Sequence, residues 1–235
     1  MKKVIVKTGI LLLAVFIIVT VAYSAETRVY NFDDLTTGSI PEGWKVMSGF
    51  TSGFKVEEGD GSPKVTFKAV EDAGAPGAKQ GNKVIKMAEH HGSIYEHGHH
   101  LWTDEISFTD GILEVDMMAH SGPIRGHCGI AFRIQDQKNF FAVRFHTSGG
   151  NVATSKVKDG KIEWAKKKAN TNVKGYDKWY HFKIVVKGAN TKVFLDDIQY
   201  LDYTDPNPIT AAGGVGLYSR GDTSLVSFDN FKITQ

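Results

Sequence analysis

The 235-residue chain is 41% hydrophobic and 23% charged, the balance of a folded globular protein long enough for one large domain or two small ones. Its formal net charge of +2 comes from basic residues spread along the chain, which excludes the concentrated footprint of a nucleic-acid binder. One cysteine, Cys128, excludes an internal disulfide; the fold must rest on its core or on a metal, and burial as a small hydrophobe is the plain role for that thiol.

At the N-terminus Lys2, Lys3 and Lys7 flank an apolar run from Gly9 to Ala22, and Ala22-Tyr23-Ser24 has the small residues that suit signal peptidase. Residues 1–24 are therefore expected to be a helical export signal, and residues 25–235 a single domain working in a periplasmic or extracellular space. The run from Gly9 is shorter than the roughly 20 residues of a spanning helix. Counted from Val4 to Ala25 it would serve as an uncleaved membrane anchor, an alternative that stays open. No cysteine follows the run, which excludes lipoprotein anchoring.

From Val29 onward, short segments rich in Val, Ile, Phe and Tyr are separated by Gly, Asn, Asp and Pro clusters every ten residues or so. No apolar helical period persists over a dozen positions, so the fold class is all-β and antiparallel. The stretch Gly59–Gly81, rich in Gly, Ala, Pro and charge, reads as long loops around an edge strand. Strands are predicted near Gly111–Met118, Gly129–Ile134, Phe140–His146, Val152–Lys158, Tyr180–Val186, Lys192–Leu195, Gly214–Tyr218 and Val226–Ile233. Lys158-Asp159-Gly160-Lys161 is a tight hairpin signal, because an Asp-Gly pair tolerates positive φ. There is no internal repeat and no second-domain boundary.

Period-two alternation sorts the central strands into an apolar set, Leu113, Val115, Met117, Ile130, Phe132, Ile134, Phe141, Val143 and Phe145, predicted to be core. The alternate set is Glu114, Asp116, Arg133, Gln135, Arg144 and His146. If these strands are neighbours, the second set forms one polar face, either a binding surface or a solvated face held by cross-strand charge pairs.

Several stretches together resemble a bacterial concanavalin A-like domain family related to the laminin-G-like and 3-keto-disaccharide hydrolase-type sandwiches. They are Phe32-Asp33-Asp34 with Pro41-Glu42-Gly43-Trp44, Gly129-Ile130-Ala131-Phe132-Arg133-Ile134-Gln135-Asp136 and Asn139-Phe140-Phe141-Ala142-Val143-Arg144. Farther on come Lys178-Trp179-Tyr180, Val193-Phe194-Leu195-Asp196-Asp197, Gly214-Val215-Gly216-Leu217-Tyr218 and Phe228-Asp229-Asn230-Phe231. The resemblance covers most of the chain after Asn31 and implies an antiparallel two-sheet jelly-roll sandwich, a fold that hosts lectins, glycosidases and adhesion modules alike. It further implies that a polar concave surface receives a glycan, which makes Glu114, Asp116, Arg133, Gln135, Arg144 and His146 ligand-binding candidates. Trp102 and Trp164 lie near polar loop residues and are candidate stacking surfaces for a sugar, with core packing the other role open to both. It also implies calcium as a cofactor where the first and last strands meet, with Asp33 and Asp229 as the residues to test; turn capping is the other role open to both.

Glu114-Val115-Asp116 invites comparison with family 16 glycoside hydrolases, whose strand carries Glu-x-Asp-x-Glu or Glu-x-Asp-x-x-Glu. A retaining mechanism needs two carboxyls about 5 Å apart, and the third acidic position here is Met118 or Ala119. The expectation is therefore an exported carbohydrate-binding or cell-envelope interaction module without its own catalysis, with a glycoside-directed hydrolase as the alternative. A third reading rests on His90, His91, His97, His99 and His100, whose clustering with Glu89 and Glu96 could ligate a transition metal. The expected partner is a glycan or envelope component, and a membrane only if the N-terminal segment stays uncleaved.

Overall fold

The computed structural model describes residues 25–48, 66–71, 83–89, 98–121, 126–220 and 225–235. These form fifteen strands and no helix. In chain order they are β1 (Thr27–Tyr30), β2 (Trp44–Ser48), β3 (Thr66–Glu71), β4 (Lys83–Glu89), β5 (His99–Phe108), β6 (Gly111–Ala119), β7 (His127–Asp136) and β8 (Asn139–His146). There follow β9 (Asn151–Lys158), β10 (Lys161–Asn170), β11 (Tyr180–Lys187), β12 (Asn190–Leu195), β13 (Ile198–Thr204), β14 (Gly213–Arg220) and β15 (Val226–Thr234). The predicted export signal lies outside the described residues.

Two antiparallel sheets result. Sheet A runs β13-β12-β11-β6-β15-β4-β3, with β1 also paired to β15, and sheet B runs β10-β9-β8-β7-β14-β5-β2. The alternation read from the sequence is the cause: Leu113, Val115 and Met117 of β6 and Phe182 and Ile184 of β11 point inward from sheet A. They meet Ile130, Phe132, Val143, Phe145 and Leu217 from sheet B in one core, as expected of a sandwich whose inner faces interdigitate. Burial of rings such as Phe182 and Phe228, both 0% exposed, is what holds the sheets together; losing one ring from such a core costs about 3–5 kcal/mol. Cys128 is part of this core, and burial pushes its thiol up.

The Asp-Gly turn forms as predicted: Asp159 and Gly160 both have positive φ, 52° and 72°, and Lys158 pairs with Lys161 across it. Strand β3 is the edge of sheet A, inside the stretch read as loops around an edge strand. The first and last strands lie side by side, Thr27 opposite Thr234, with Glu26 and Gln235 exchanging two backbone hydrogen bonds at 2.8 and 3.0 Å.

Two expectations need correction. Strand β6 belongs to sheet A while β7 and β8 belong to sheet B, because the chain crosses the sandwich after β6; Glu114 and Asp116 therefore share no face with Arg144 and His146. The alternation also breaks inside β7, where Arg133 takes φ 49° and the register slips between Phe132 and Asp136. Against β14 the slip is one residue, from Val215 opposite Phe132 to Gly214 opposite Ile134, which exchanges the two faces at Ile134. Ile134 consequently leaves the inter-sheet core and joins a second apolar cluster on the outer face of sheet B.

Candidate functional site

The outer face of sheet B is built in rows by the strand registers. One row crosses Arg220, His127, His146 and Asn151; the next crosses His100, Tyr218, Gly129, Arg144 and Ala153; a third crosses Trp102, Gly216, Ala131, Ala142 and Ser155. The third row is low because its residues are small, and the side chain of Trp102 lies over β14. A Cβ on Gly216 would come within 2.6 Å of the Trp102 Cβ, and one on Gly214 within 2.8 Å of the indole ring. Both glycines are thus required by close approach.

The face has an apolar half and a basic half. Met47, Ala131, Ile134, Phe140, Ala142, Val157 and Tyr218 form a buried cluster, with Trp102 and Ile162 packed against it. Beside it the His127 and His146 rings lie with centroids 4.1 Å apart, and His100 sits 4.6 Å from Phe140 and 5.1 Å from Tyr218. Asn151 Nδ2 donates to His146 Nδ1 at 3.4 Å, and His146 Nε2 is 2.9 Å from Ser148 Oγ. Burial pulls the Arg144 guanidinium below its usual value; the Tyr218 hydroxyl opposes this and the Arg220 cation adds to it. Burial likewise pushes the Tyr218 phenol up, against the pull of Arg144 and Arg220.

Of the sequence candidates, the structure brings Arg144, His146 and Trp102 onto this one face. Arg133 is 2% exposed, and its guanidinium donates to the carbonyls of Thr109, Ile209 and Gly188, each at 2.8 Å, and to Asp110 at 2.9 Å. It ties three chain segments together. Gln135 Nε2 donates to the carbonyls of Ala211 and Ala212, so it too is engaged in holding a loop. His127, Tyr218, Arg220 and Asn151 complete the face. Tyr218 could have been found from Gly214-Val215-Gly216-Leu217-Tyr218, where Val215 and Leu217 mark the core side and leave the glycines and the tyrosine outward.

Glu114 and Asp116 lie on the outer face of sheet A, in a cross-strand network. His181 Nδ1 is 2.8 Å from Asp116 and its Nε2 3.6 Å from Glu114; Lys232 is 3.0 Å from Glu114, and Asn230 donates to Asp116 at 2.9 Å. The hydrogen bond to Asp116 raises the His181 pKa, partly offset by burial and helped by Glu114. A raised folded pKa stabilises the fold at pH values below the unfolded histidine value and loses that contribution as pH climbs through the folded one. We therefore expect thermal unfolding of the wild type to lose stability above about pH 6.5 by an increment that is absent in His181→Gln.

Asp33 accepts from the Lys83 backbone amide at 3.1 Å and from Asn31, and Asp229 is 1% exposed and accepts from the Asn230 amide at 2.7 Å. His90, His91 and His97 lie outside the described residues. His99 and His100 open β5 rather than a loop, and His100 is 0% exposed between Phe140 and Tyr218. Among the described residues no group of three or more His, Cys, Asp or Glu side chains is placed to hold a metal.

A separate cavity of about 330 Å³ opens between the sheets, floored by Phe132, Phe141 and Val143. Lys156, 4% exposed, closes it: its ammonium donates to Asp205 at 2.9 Å and to the Asn207 carbonyl at 2.6 Å, and lies 3.1 Å from Glu163. Burial lowers the Lys156 pKa, and the hydrogen bonds it donates to Asp205 and Glu163 outweigh this, for a net rise.

The two facing antiparallel sheets form a concanavalin A-like or galectin-like sandwich. The chain belongs to the 3-keto-α-glucoside-1,2-lyase-like domain family, whose model matches residues 31–234. Its fold is similar to that of the carbohydrate-binding module CBM66 from Bacillus subtilis, with a TM-score of 0.56 and 20% identity over 81% of this chain and 95% of that one. A Bacillus licheniformis β-glucanase gives a TM-score of 0.54 and 12% identity over 89% and 97%. The exoplasmic/lumenal domain of VIP36, in a Ca²⁺/Man3GlcNAc-bound form, gives 0.50 and 10% over 73% and 82%. No curated protein matches the sequence.

Proposed function

We propose that the chain is an exported carbohydrate-recognition domain that binds its saccharide on the outer face of sheet B. The supporting observation is the second apolar cluster. The outer face of an antiparallel sheet is ordinarily polar and solvated, yet here a buried apolar cluster supports the half-buried ring of Trp102, on the face that also carries the half-buried Arg144 and His146. Rings suit the C–H face of a pyranose, and the flanking donors and acceptors suit its hydroxyls. A carbohydrate-binding module and a Man3GlcNAc-bound domain of the same fold are consistent with this reading.

Titration calorimetry of the purified protein against a panel of mono- and disaccharides tests it. Trp102→Ala is expected to weaken binding about tenfold, the scale of one aromatic contact. Asp116→Asn, on the opposite sheet, leaves affinity unchanged. Equal loss in both variants would place the saccharide elsewhere.

A second reading is favoured by the His127–His146 pair beside Arg144 and by the family to which the chain belongs. In a 3-keto glycoside the C2 proton is acidified by the adjacent ketone. An imidazole taking that proton, with the electron pair forming C1=C2 and the C1 oxygen departing as the leaving group, would complete a 1,2-elimination. The Arg144 cation would offset the charge that gathers on the C3 oxygen. Release of the aglycone from a 3-keto glycoside by the wild type, lost in His127→Gln and His146→Gln, would establish lyase activity.

A further inference from the structure

The inward alternation that builds the core turns polar at one end of the sandwich. On β9 the inner positions run from Val152 in the core to Thr154 and Lys156 at the cavity, and on β12 from Val193 to Thr191. On β13 core Leu201 gives way to Tyr203, which stands opposite Thr191, and Glu163 of β10 stands opposite Lys156. Both sheets thus contribute to a polar collar above an apolar floor in which the Phe132 and Phe141 rings stack at 5.3 Å. The space is larger than a packing fault. Protein interiors are as dense as organic crystals, a cavity of about 150 Å³ already holds benzene, and about 330 Å³ lies within the range of small-molecule pockets.

The charges on the cavity wall balance, with Arg133 and Lys156 set against Glu163 and Asp205. Both cations are engaged inside the chain, Arg133 by three carbonyls and Asp110, and Lys156 by Asp205, Glu163 and the Asn207 carbonyl. Asp205 is engaged as well, since both of its oxygens accept from Lys156 and one also accepts from the Asn207 amide. An anion entering the cavity therefore meets no free cation, and a cation has to compete with Lys156 for its carboxylates. Stripping either of water without a partner is costly. What stays open is neutral or accepting. Among the described residues the hydroxyls of Thr154, Thr191 and the partly exposed Tyr203 make no hydrogen bond, and the half-exposed Glu163 uses one oxygen on Lys156.

We infer that the inter-sheet cavity is a second binding site, which takes an uncharged alcohol built on an apolar ring, with the ring over the Phe132–Phe141 floor and its hydroxyl on Tyr203 and Glu163. The site lies on the inner side of sheet B, so it stands independently of saccharide binding on the outer face.

The test is titration of the purified protein, by calorimetry and by ¹⁵N chemical shifts, with benzyl alcohol and cyclohexylmethanol, and with toluene, benzoate, benzylamine and D-glucose for comparison. The expected result is that at least one alcohol binds about tenfold or more tighter than benzoate and benzylamine, and roughly fivefold tighter than toluene, the scale of one hydrogen bond. The two alcohols tell whether the ring is aromatic or alicyclic. The amides of Thr154, Thr191 and Tyr203 shift on binding while the Trp102 indole N–H, on the outer face, stays in place. Tyr203→Phe removes a hydroxyl that bonds nothing within the described chain, so it folds normally and abolishes the preference for alcohol over toluene. Binding of benzoate or benzylamine as tight as that of the alcohols overturns the uncharged class, and tighter binding of D-glucose in the cavity overturns the apolar ring. Shifts at Trp102 in place of the cavity amides, or no binding by either alcohol, overturn the site itself. The wild-type comparison needs no variant.

Discussion

Arg133→Met lowers the free energy of unfolding by about 3–4 kcal/mol, which for a domain of this size moves the thermal midpoint down by roughly 6–16 °C. The guanidinium holds the carbonyls of Thr109, Gly188 and Ile209 from three separate segments, and removing it leaves buried acceptors with nothing to bond. Asp110 loses its charged partner but keeps the Gly188 amide at 2.9 Å, and it is exposed enough to be rehydrated. Arg144→Met behaves differently: it removes a half-buried charge whose Nη1 is buried without an acceptor, and it does not lower the midpoint. Differential scanning calorimetry of the two variants side by side checks both, and a midpoint depressed equally in the two would mean that Arg144 is structural.

Asp205→Ala is the second large effect. It leaves Lys156 at the inter-sheet cavity with Glu163 and one carbonyl as its remaining partners, and it removes a carboxylate that also accepts from the Asn207 amide at 2.9 Å. Loss of one member of a buried ion pair costs about 3 kcal/mol or more. The double replacement Lys156→Met with Asp205→Leu removes both charges and should return most of that stability, because the desolvation cost of each ion goes with it. Urea unfolding of the single and double variants gives the comparison; a double variant no more stable than Asp205→Ala would show that the pair is more than its two charges.

The parts of the fold legible in the sequence were those fixed by local chemistry. The Asp159-Gly160 turn was one, and the inward alternation of Leu113, Val115 and Met117 was another, because each follows from the residues within a few positions. The candidate site was only half legible. Arg144 and His146 were found because they alternate with Phe141, Val143 and Phe145. Glu114 and Asp116 were grouped with them because adjacency in sequence suggests adjacency in a sheet, and nothing in residues 119–127 announces that the chain crosses to the other layer. Arg133 was misplaced for a different reason: the strand bulges at this residue and changes the face that Ile134 takes, and the αL conformation that makes the bulge falls on an arginine rather than on a glycine. His181 went unnoticed, since its pairing with Asp116 spans 65 residues. Strand β5 begins at His99, where the density of histidine and glycine concealed a strand.

The side-by-side placement of β1 and β15 has a mechanical meaning. Glu26 and Gln235 are bonded to each other, and the ladder between Thr27 and Tyr30 and the final strand runs away from them. Tension applied between these two ends therefore loads the rungs singly, starting at the outermost, so that β1 peels from sheet A like an opening zipper while the outer face of sheet B carries none of the strain.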